Sequence, residues 1–196
     1  MLTCVVWVFG LACSAYARDC ASPNPVDTLL MDKFSGLWII HGFTSANQTQ
    51  RSHYKSARCA YEGISQISDK LYSYFFEIFI GDDVQNITGY LQVLQPGGGH
   101  LKRREVKNAD FLEHTKLLYD YYVICVDYNK WTVVYDCAPI QPGLSSENIF
   151  LFGRPDTTYK ELISMADVND CLAQVVVPPV EGLIQITSQN CPNKRQ

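Results

Sequence analysis

The feature of this chain that most limits its fold is a series of short strand-like segments, with a turn signal after about every ten residues. The clearest is Leu71–Ile80 (LYSYFFEIFI), which is rich in aromatic and β-branched residues and ends at a turn sequence, 81–83. The other predicted strands are 37–41, 59–67, 86–94, 100–106, 117–126, 131–137 and 148–153. Strands joined by such short turns pair antiparallel, and eight of them in succession can close into a barrel. A sandwich of two sheets is the structural alternative.

One helix is predicted after the strands. From 157 to about 176 the apolar residues recur at helical spacing, with Asp156 or Thr157 as a suitable N-cap. Pro178 and Pro179 then end the helical pattern. The sequence therefore predicts an all-β fold, an eight-stranded up-and-down antiparallel barrel with one C-terminal helix packed on its outside.

The N-terminal segment 1–17 has the pattern of a secretory signal peptide, an apolar run that leads into a small-x-small sequence at 15–17. The run is shorter than the roughly 20 residues that span a bilayer, and no later segment has a transmembrane pattern. We therefore expect a secreted, extracellular protein whose mature part, 18–196, forms a single domain. The sequons at Asn47 and Asn86 are predicted glycosylation sites on this route.

Composition and motifs argue against several function classes. The net charge of -4 and the lack of a long basic run do not favour a nucleic-acid partner. No cysteine pair has CxxC spacing and the four histidines form no metal pattern, so we predict no metal site. No Gly-x-Ser-x-Gly sequence is present, and no nucleophile stands beside an evident base, so no catalytic residue is predicted. The six cysteines after residue 17 are expected to form disulfides, for which spacing alone allows 15 connectivities.

Three short motifs occur in order and at fitting distances along the chain. They are Gly36-Leu37-Trp38, Val126-Asp127-Tyr128 and Phe152-Gly153-Arg154. Together they resemble the pattern of the lipocalins, and the cysteines are similar to those of apolipoprotein D, insect bilin-binding proteins and crustacyanin subunits. The resemblance implies an eight-stranded barrel closed at one end by Trp38 and Arg154, with Gly36, Asp127 and Tyr128 in the same motif set.

The same resemblance implies the disulfide pairing. Carried over to this sequence, an N-terminal cysteine bonded to a late strand corresponds to Cys20–Cys137. A cysteine of the second strand bonded to one near the C-terminus corresponds to Cys59–Cys191. The third pair, Cys125–Cys171, would join a strand to the outer helix.

Strand geometry then predicts which residues line the cavity. If the turn after the sixth strand centres on Asn129, Cys125 lies opposite Val133, and Cys125 and Cys137 share one face. Because both bridges lead to elements outside the barrel, that face is the outer one. The predicted cavity residues are Tyr122, Ile124, Val126, Thr132, Val134 and Asp136. Half of the rings in Leu71–Ile80 are expected to join them, and the sequence does not decide which half.

The function that this resemblance implies is that of a carrier for a small hydrophobic molecule. Similar proteins carry biliverdin, carotenoids, retinoids, steroids or fatty acids, so a bound pigment or lipid is expected without a required cofactor. A lipocalin-fold enzyme with a free Cys59 thiol is disfavoured, because Cys59 is better explained as half of a disulfide. The alternative function is binding of a protein partner by the outer surface, through 43–57 and 138–147. Monomer and homodimer are both left open.

Overall fold

The computed structural model describes residues 20–106, 118–141, 144–175, 182–187 and 191, so the predicted signal peptide lies outside the described residues. Eight antiparallel strands follow one another and pair in sequence order. β1 pairs with both β8 and β2, which closes the barrel and confirms the predicted fold class. The strands are β1 Gly36–Ser45, β2 Ala57–Ser68, β3 Leu71–Ile80, β4 Asp83–Val93, β5 His100–Val106, β6 Leu118–Asp127, β7 Trp131–Gln141 and β8 Leu144–Gly153.

A short ninth strand, β9 (Ile184–Gln185), extends the sheet beside β1. The first half of β1 pairs with β2, whereas Gly42 and Phe43 in its second half pair with β9. The Thr187 hydroxyl, just after β9, donates to the Ala57 carbonyl of β2 at 3.5 Å. The C-terminal segment thus lies between β1 and β2 where these strands separate, an element that the sequence did not predict.

The interior of the barrel is lined mainly by aromatic and aliphatic side chains. On β3 the alternate residues Tyr72, Tyr74, Phe76 and Ile78 are buried in the main core, which decides the question left open by the sequence. Gly89 lies opposite Tyr74 on β4, and a Cβ atom there would stand 2.6 Å from the Tyr74 ring. The absence of a side chain at Gly89 therefore leaves the space that the Tyr74 ring occupies.

The outer wall carries a second core beneath two helices, α3 (Tyr159–Ser164) and α4 (Ala166–Ala173). The helix predicted for this region is divided in two, because Met165 between α3 and α4 has extended backbone angles (φ -81°, ψ 128°). The Asn169 side-chain amide donates to the Ile163 and Met165 carbonyls at 3.0 Å, which replaces hydrogen bonds lost at the break. Both helices nevertheless occupy the predicted region of the chain.

Three disulfides join peripheral segments to the barrel: Cys20–Cys137, Cys59–Cys191 and Cys125–Cys171. They are the pairs that the resemblance implied. The first joins the segment before β1 to β7, the second joins the segment after β9 to β2, and the third joins β6 to α4. In the chain-entropy model, loops above 100 residues correspond to about 4 to 5 kcal/mol of stabilisation each.

Two further helices lie between these elements and were not predicted. The single-turn helix α1 (Met31–Phe34) precedes β1, and α2 (Gln48–Lys55) connects β1 to β2. The Asn47 side chain caps α2 by accepting hydrogen bonds from the Thr49 and Gln50 amides. Because β1 runs from α1 to α2, the two helices lie near opposite ends of the barrel.

Candidate functional site

The end of the barrel near α1 is closed by Trp38 and Arg154. The Arg154 guanidinium lies 3.6 Å above the Trp38 ring, and the indole N–H of Trp38 donates to the Phe34 carbonyl at 2.8 Å. Arg154 donates to four main-chain carbonyls, those of Tyr128, Leu37, Lys33 and Ser35, at 2.7 to 3.4 Å. Stacking on the ring and hydrogen bonds to main-chain carbonyls hold the guanidinium over Trp38, and together they close this end of the barrel.

The remaining residues of the three motifs lie at this same closed end. Gly36 has a φ of +109°, and a Cβ atom there would come within 3.3 Å of the Arg154 guanidinium. The Asp127 carboxylate accepts a hydrogen bond from the Asn129 amide at 2.9 Å, and the Tyr128 hydroxyl accepts one from the Leu30 amide at 2.9 Å. These contacts hold the β6–β7 turn in place, so the role of the motif residues at this end is structural.

Strand β6 contains a β-bulge that overturns part of the predicted cavity lining. Cys125 lies opposite Val133, as predicted, but Val123 lies opposite Val134, which leaves Ile124 as an extra residue. Strict alternation fails across this point. Tyr122 and Ile124 consequently pack in the outer core beneath the helices, so their assignment to the cavity was wrong.

The other predicted lining residues lie on the inner side of the wall. Val134 is part of the main interior core and Val126 packs against it. Thr132 and Asp136 alternate with Val134 on β7 and are fully buried. On β6 it is Tyr121 that fills the inner position predicted for Tyr122, because the bulge reverses the alternation.

Charged side chains meet inside the barrel, which the sequence did not predict. Arg103 of β5 is buried, with Nη1 3.0 Å from Asp136 Oδ2 and Nη2 3.3 Å from Glu105 Oε1. The Asp136 carboxylate also accepts a hydrogen bond from the Asn148 amide at 2.8 Å. Burial raises the pKa of Asp136, while Arg103 and Asn148 oppose that rise.

Glu62 of β2 completes this group, and we call Glu62, Arg103, Glu105 and Asp136 the interior charged cluster. Glu62 is 2% exposed and accepts a hydrogen bond from the Tyr121 hydroxyl at 2.8 Å, across the barrel. Burial is the largest influence on its pKa, and it raises that pKa from 4.5 to about 7 against the opposing effects of Tyr121 and Arg103. The nearby charge of Asp136 adds to the rise.

Aromatic rings form the wall beside the interior charged cluster. The Tyr54 ring, from α2, stacks on the Phe43 ring with centroids 3.7 Å apart and meets Phe76 and Phe150 edge-on at 6.3 and 6.2 Å. Burial raises the pKa of Tyr54, and the charge of Asp136 is the next largest cause. The Tyr54 hydroxyl therefore lies within electrostatic reach of the cluster, and α2 closes over this part of the interior.

Several polar atoms in this region are buried without a hydrogen-bond partner among the described residues. They are the Tyr74 hydroxyl, Arg103 Nε and Asn148 Oδ1. Tyr74 is 2% exposed, and the Arg103 guanidinium lies 5.7 Å from its ring centroid and 4.1 Å from that of Tyr119. Buried polar groups in native proteins are normally satisfied, so these atoms mark a place where a bound molecule could supply partners.

The sequence around Arg103 indicates an exposed strand and not a buried charge. Arg103 stands in the run Lys102-Arg103-Arg104, which is typical of an exposed basic strand. In the structure Leu101, Arg103 and Glu105 share the inner face of β5 by the period of two. The partners Glu62 and Asp136 lie on other strands, so no local pattern links them.

The remaining predicted sites lie on the outer surface. Asn47 and Asn86 are both exposed, the first at the start of α2 and the second on β4. Most of the segment 43–57, considered as a protein-contact loop, is the end of β1 together with α2. The segment 138–147 consists mainly of the ends of β7 and β8, apart from 142–143, which lie outside the described residues.

Known proteins resemble this chain in structure. No protein-family model matches the sequence, and no curated protein is significantly similar to it. The tryptamine complex of the amine binding protein of Rhodnius prolixus matches with a TM-score of 0.66 at 18% identity, over 85% of each chain. The fold is the lipocalin fold. Apocrustacyanin C1 matches this lipocalin-fold chain with a TM-score of 0.63 at 17% identity, over 90% of this chain and 93% of its own. Lobster apocrustacyanin A1 matches it with a TM-score of 0.56 at 16% identity, over 80% and 78%.

Two further properties of the described residues concern membranes and metals. No described helix of this lipocalin-fold chain has the length and apolar character needed to cross a membrane. The described histidine, cysteine and acidic side chains do not come together in any group of three or more that could hold a metal ion. The candidate site of the described residues is the interior charged cluster with its aromatic wall.

Proposed function

We propose that this protein is a secreted lipocalin that carries a small, largely apolar molecule inside its barrel. One observation carries the proposal: aromatic walls surround a buried polar cluster in which the Tyr74 hydroxyl has no partner among the described residues. Small-molecule sites in proteins combine apolar walls with a few placed polar groups in this way. A ligand that fills the interior would remove the cost of the unpartnered atoms.

The structural neighbours and the disulfides support the same proposal. The neighbour from Rhodnius prolixus is an amine binding protein in complex with tryptamine, which is a small aromatic ligand. Three disulfides suit an oxidising, extracellular setting, and the pattern of the segment 1–17 agrees with secretion. We propose no catalytic residue and no required cofactor.

The test is direct binding to the purified mature protein with its disulfides formed. The neutral fluorescent probe N-phenyl-1-naphthylamine is titrated into the wild type, Phe76→Leu and Phe75→Leu. Phe76 points into the barrel, whereas its neighbour Phe75 lies on the outer face over Gly63. We expect saturable binding that Phe76→Leu weakens roughly threefold to tenfold, through lost ring contacts, and that Phe75→Leu leaves unchanged.

A solvent extract of the protein from its native source, analysed by mass spectrometry, then identifies the ligand. Biliverdin, carotenoids, retinoids, steroids, fatty acids and amines are all sought, and one compound in near-stoichiometric amount supports the carrier function. A protein that yields no such compound and binds no probe contradicts it. That result would favour the alternative, in which the outer surface binds a protein partner.

A further inference from the structure

The charges inside the barrel do not balance. The interior charged cluster holds three carboxyl groups and one guanidinium, and Arg103 is already shared between Asp136 and Glu105. Of the buried residues that the structure describes, only Arg103 and His41 are basic, and His41 lies against Thr157 on the outer side. No described residue forms an ion pair with Glu62, whose oxygen accepts the Tyr121 hydroxyl. An ionised Glu62 therefore lacks a counter-ion within the described part of the chain.

A buried carboxylate of this kind is costly unless a cation joins it. Burial raises the pKa of Glu62 to about 7, so near neutral pH the carboxyl group is poised between its two forms. A cation placed beside it would favour the ionised form and add an attraction that water weakens little in the interior. A ligand with its own carboxylate would instead add a further negative charge to the same space.

The groups around Glu62 also suit a cation. Phe76 lies directly opposite Glu62 in the β2–β3 register, so its ring and the carboxylate are neighbours on the inner face. The faces of aromatic rings attract ammonium groups, and Tyr54 and Phe150 extend this aromatic wall. The buried Tyr74 hydroxyl, without a partner among the described residues, can accept a hydrogen bond from an N–H group.

From this arrangement we infer that the ligand is an organic cation, an amine with an aromatic or apolar body, and that Glu62 is its counter-ion. The inference rests on the proposed carrier function and adds the charge of the ligand to it. The rings of Phe43, Tyr54, Phe76 and Phe150 hold the apolar body, and Asp136 and Glu105 add to the negative potential.

The test uses three compounds that share a phenyl ring and differ in charge: phenethylamine, 2-phenylethanol and 3-phenylpropanoate. Each is used to displace N-phenyl-1-naphthylamine from the wild type, from Glu62→Gln, and from the control Glu161→Gln at an exposed position of α3. Glutamine keeps the size of the side chain and an oxygen that accepts from Tyr121, so only the charge is removed. Thermal unfolding and the affinity for the neutral probe show that each variant is folded.

We expect the wild type to bind phenethylamine at least about tenfold more tightly than 2-phenylethanol, and 3-phenylpropanoate most weakly. Glu62→Gln should lower the affinity for the amine by about tenfold or more and leave that for the alcohol unchanged, whereas Glu161→Gln should change neither. If the neutral probe binds but the amine fails to displace it, shows no preference, or binds Glu62→Gln equally well, the inference is overturned and the carrier function stands. If the neutral probe does not bind and the solvent extract also yields no compound, the carrier function fails as well.

Discussion

Two arginines of this barrel each lie over an aromatic ring, yet their surroundings differ. Arg154 at the closed end covers Trp38 and donates only to main-chain carbonyls, which the fold holds in place. Arg103 covers Tyr119 and faces the carboxyl groups of Asp136 and Glu105, while its Nε has no partner among the described residues. The contacts of Arg154 are all with the protein's own main chain. Around Arg103, in contrast, the carboxyl groups outnumber the positive charges, and an additional molecule can balance the excess. The same pairing of guanidinium and ring thus closes the barrel at one end and forms part of the proposed binding site in the interior.

The largest expected effect is a loss of stability from Trp38→Ala at the closed end. Removal of this buried ring and of the surface on which Arg154 stacks should lower the free energy of unfolding by about 3 to 5 kcal/mol. Denaturant unfolding measures the loss, and Tyr90→Ala, at an exposed position, is the control. Where Trp38→Ala is still folded, its affinity for the neutral probe should match that of the wild type. An affinity as low as that of Phe76→Leu would show that the closed end and the interior site are not separate.

Loss of the interior cation should be costly for a different reason. Arg103→Met leaves the buried Asp136 and the partly buried Glu105 without their positive partner, which we expect to cost about 3 to 5 kcal/mol in the free energy of unfolding. The double variant Arg103→Met/Asp136→Asn removes one of the unpaired charges and should recover part of the loss. Denaturant unfolding of the two single variants and the double variant gives the coupling energy, and strictly additive losses would show that Arg103 and Asp136 do not stabilise each other.

The free energy of unfolding should depend on pH through Glu62 and not through the Trp38–Arg154 pair. Because folding raises the pKa of Glu62 from 4.5 to about 7, its contribution to stability is complete below about pH 4.5 and is lost as the pH rises through about 7. The free energy of unfolding of the wild type relative to Glu62→Gln should therefore fall by about 3 kcal/mol across this interval. His41 acts in the opposite direction, because burial lowers its pKa from 6.5 to about 4, so its contribution is lost as the pH falls.

Subtraction of the two unfolding curves removes the effect of His41, which is the same in both proteins. The groups that influence Glu62 are Tyr121, Arg103 and Asp136, and all three are retained in Glu62→Gln. A difference curve that is flat between pH 4.5 and 7 would mean that the Glu62 carboxyl group titrates normally in the folded protein.

The smallest effect concerns the helix that carries Tyr54. The side-chain oxygen of Asn47 caps α2 by accepting hydrogen bonds from the Thr49 and Gln50 amides at 2.9 and 3.3 Å. Asn47→Ala removes this cap and should lower the local stability of α2 by about 1 kcal/mol. Hydrogen exchange should become faster in α2 and remain unchanged at the closed end. Thr49→Ala is the matched control, because it removes the same sequon while Asn47 and the cap remain. Equal exchange in the two variants would assign the effect to the loss of the glycan.

Much of the barrel could be predicted because its strands are alternating and are separated by strong turn signals. Leu71–Ile80 has the bounds that its composition indicated, and the closed-end motifs are local enough to be recognised in the sequence. The interior charged cluster could not be predicted, because in the sequence Arg103 resembles its basic neighbours, and Asp136 and Glu62 come near it only in the folded barrel. The strand β9 has only two residues, too few to show a period.

The extra residue in β6 allows two contacts of this strand, a hydrogen bond inside the barrel and a disulfide outside it, to form together. Tyr121 and Cys125 are four residues apart, so a regular strand would turn both to one face of the sheet, yet one meets Glu62 inside and the other bonds to Cys171 outside. A chain that pairs β6 without the bulge can satisfy only one of these contacts. The single extra residue therefore allows β6 to be bonded covalently to α4 on the outer wall while Tyr121 stays in the interior beside Glu62.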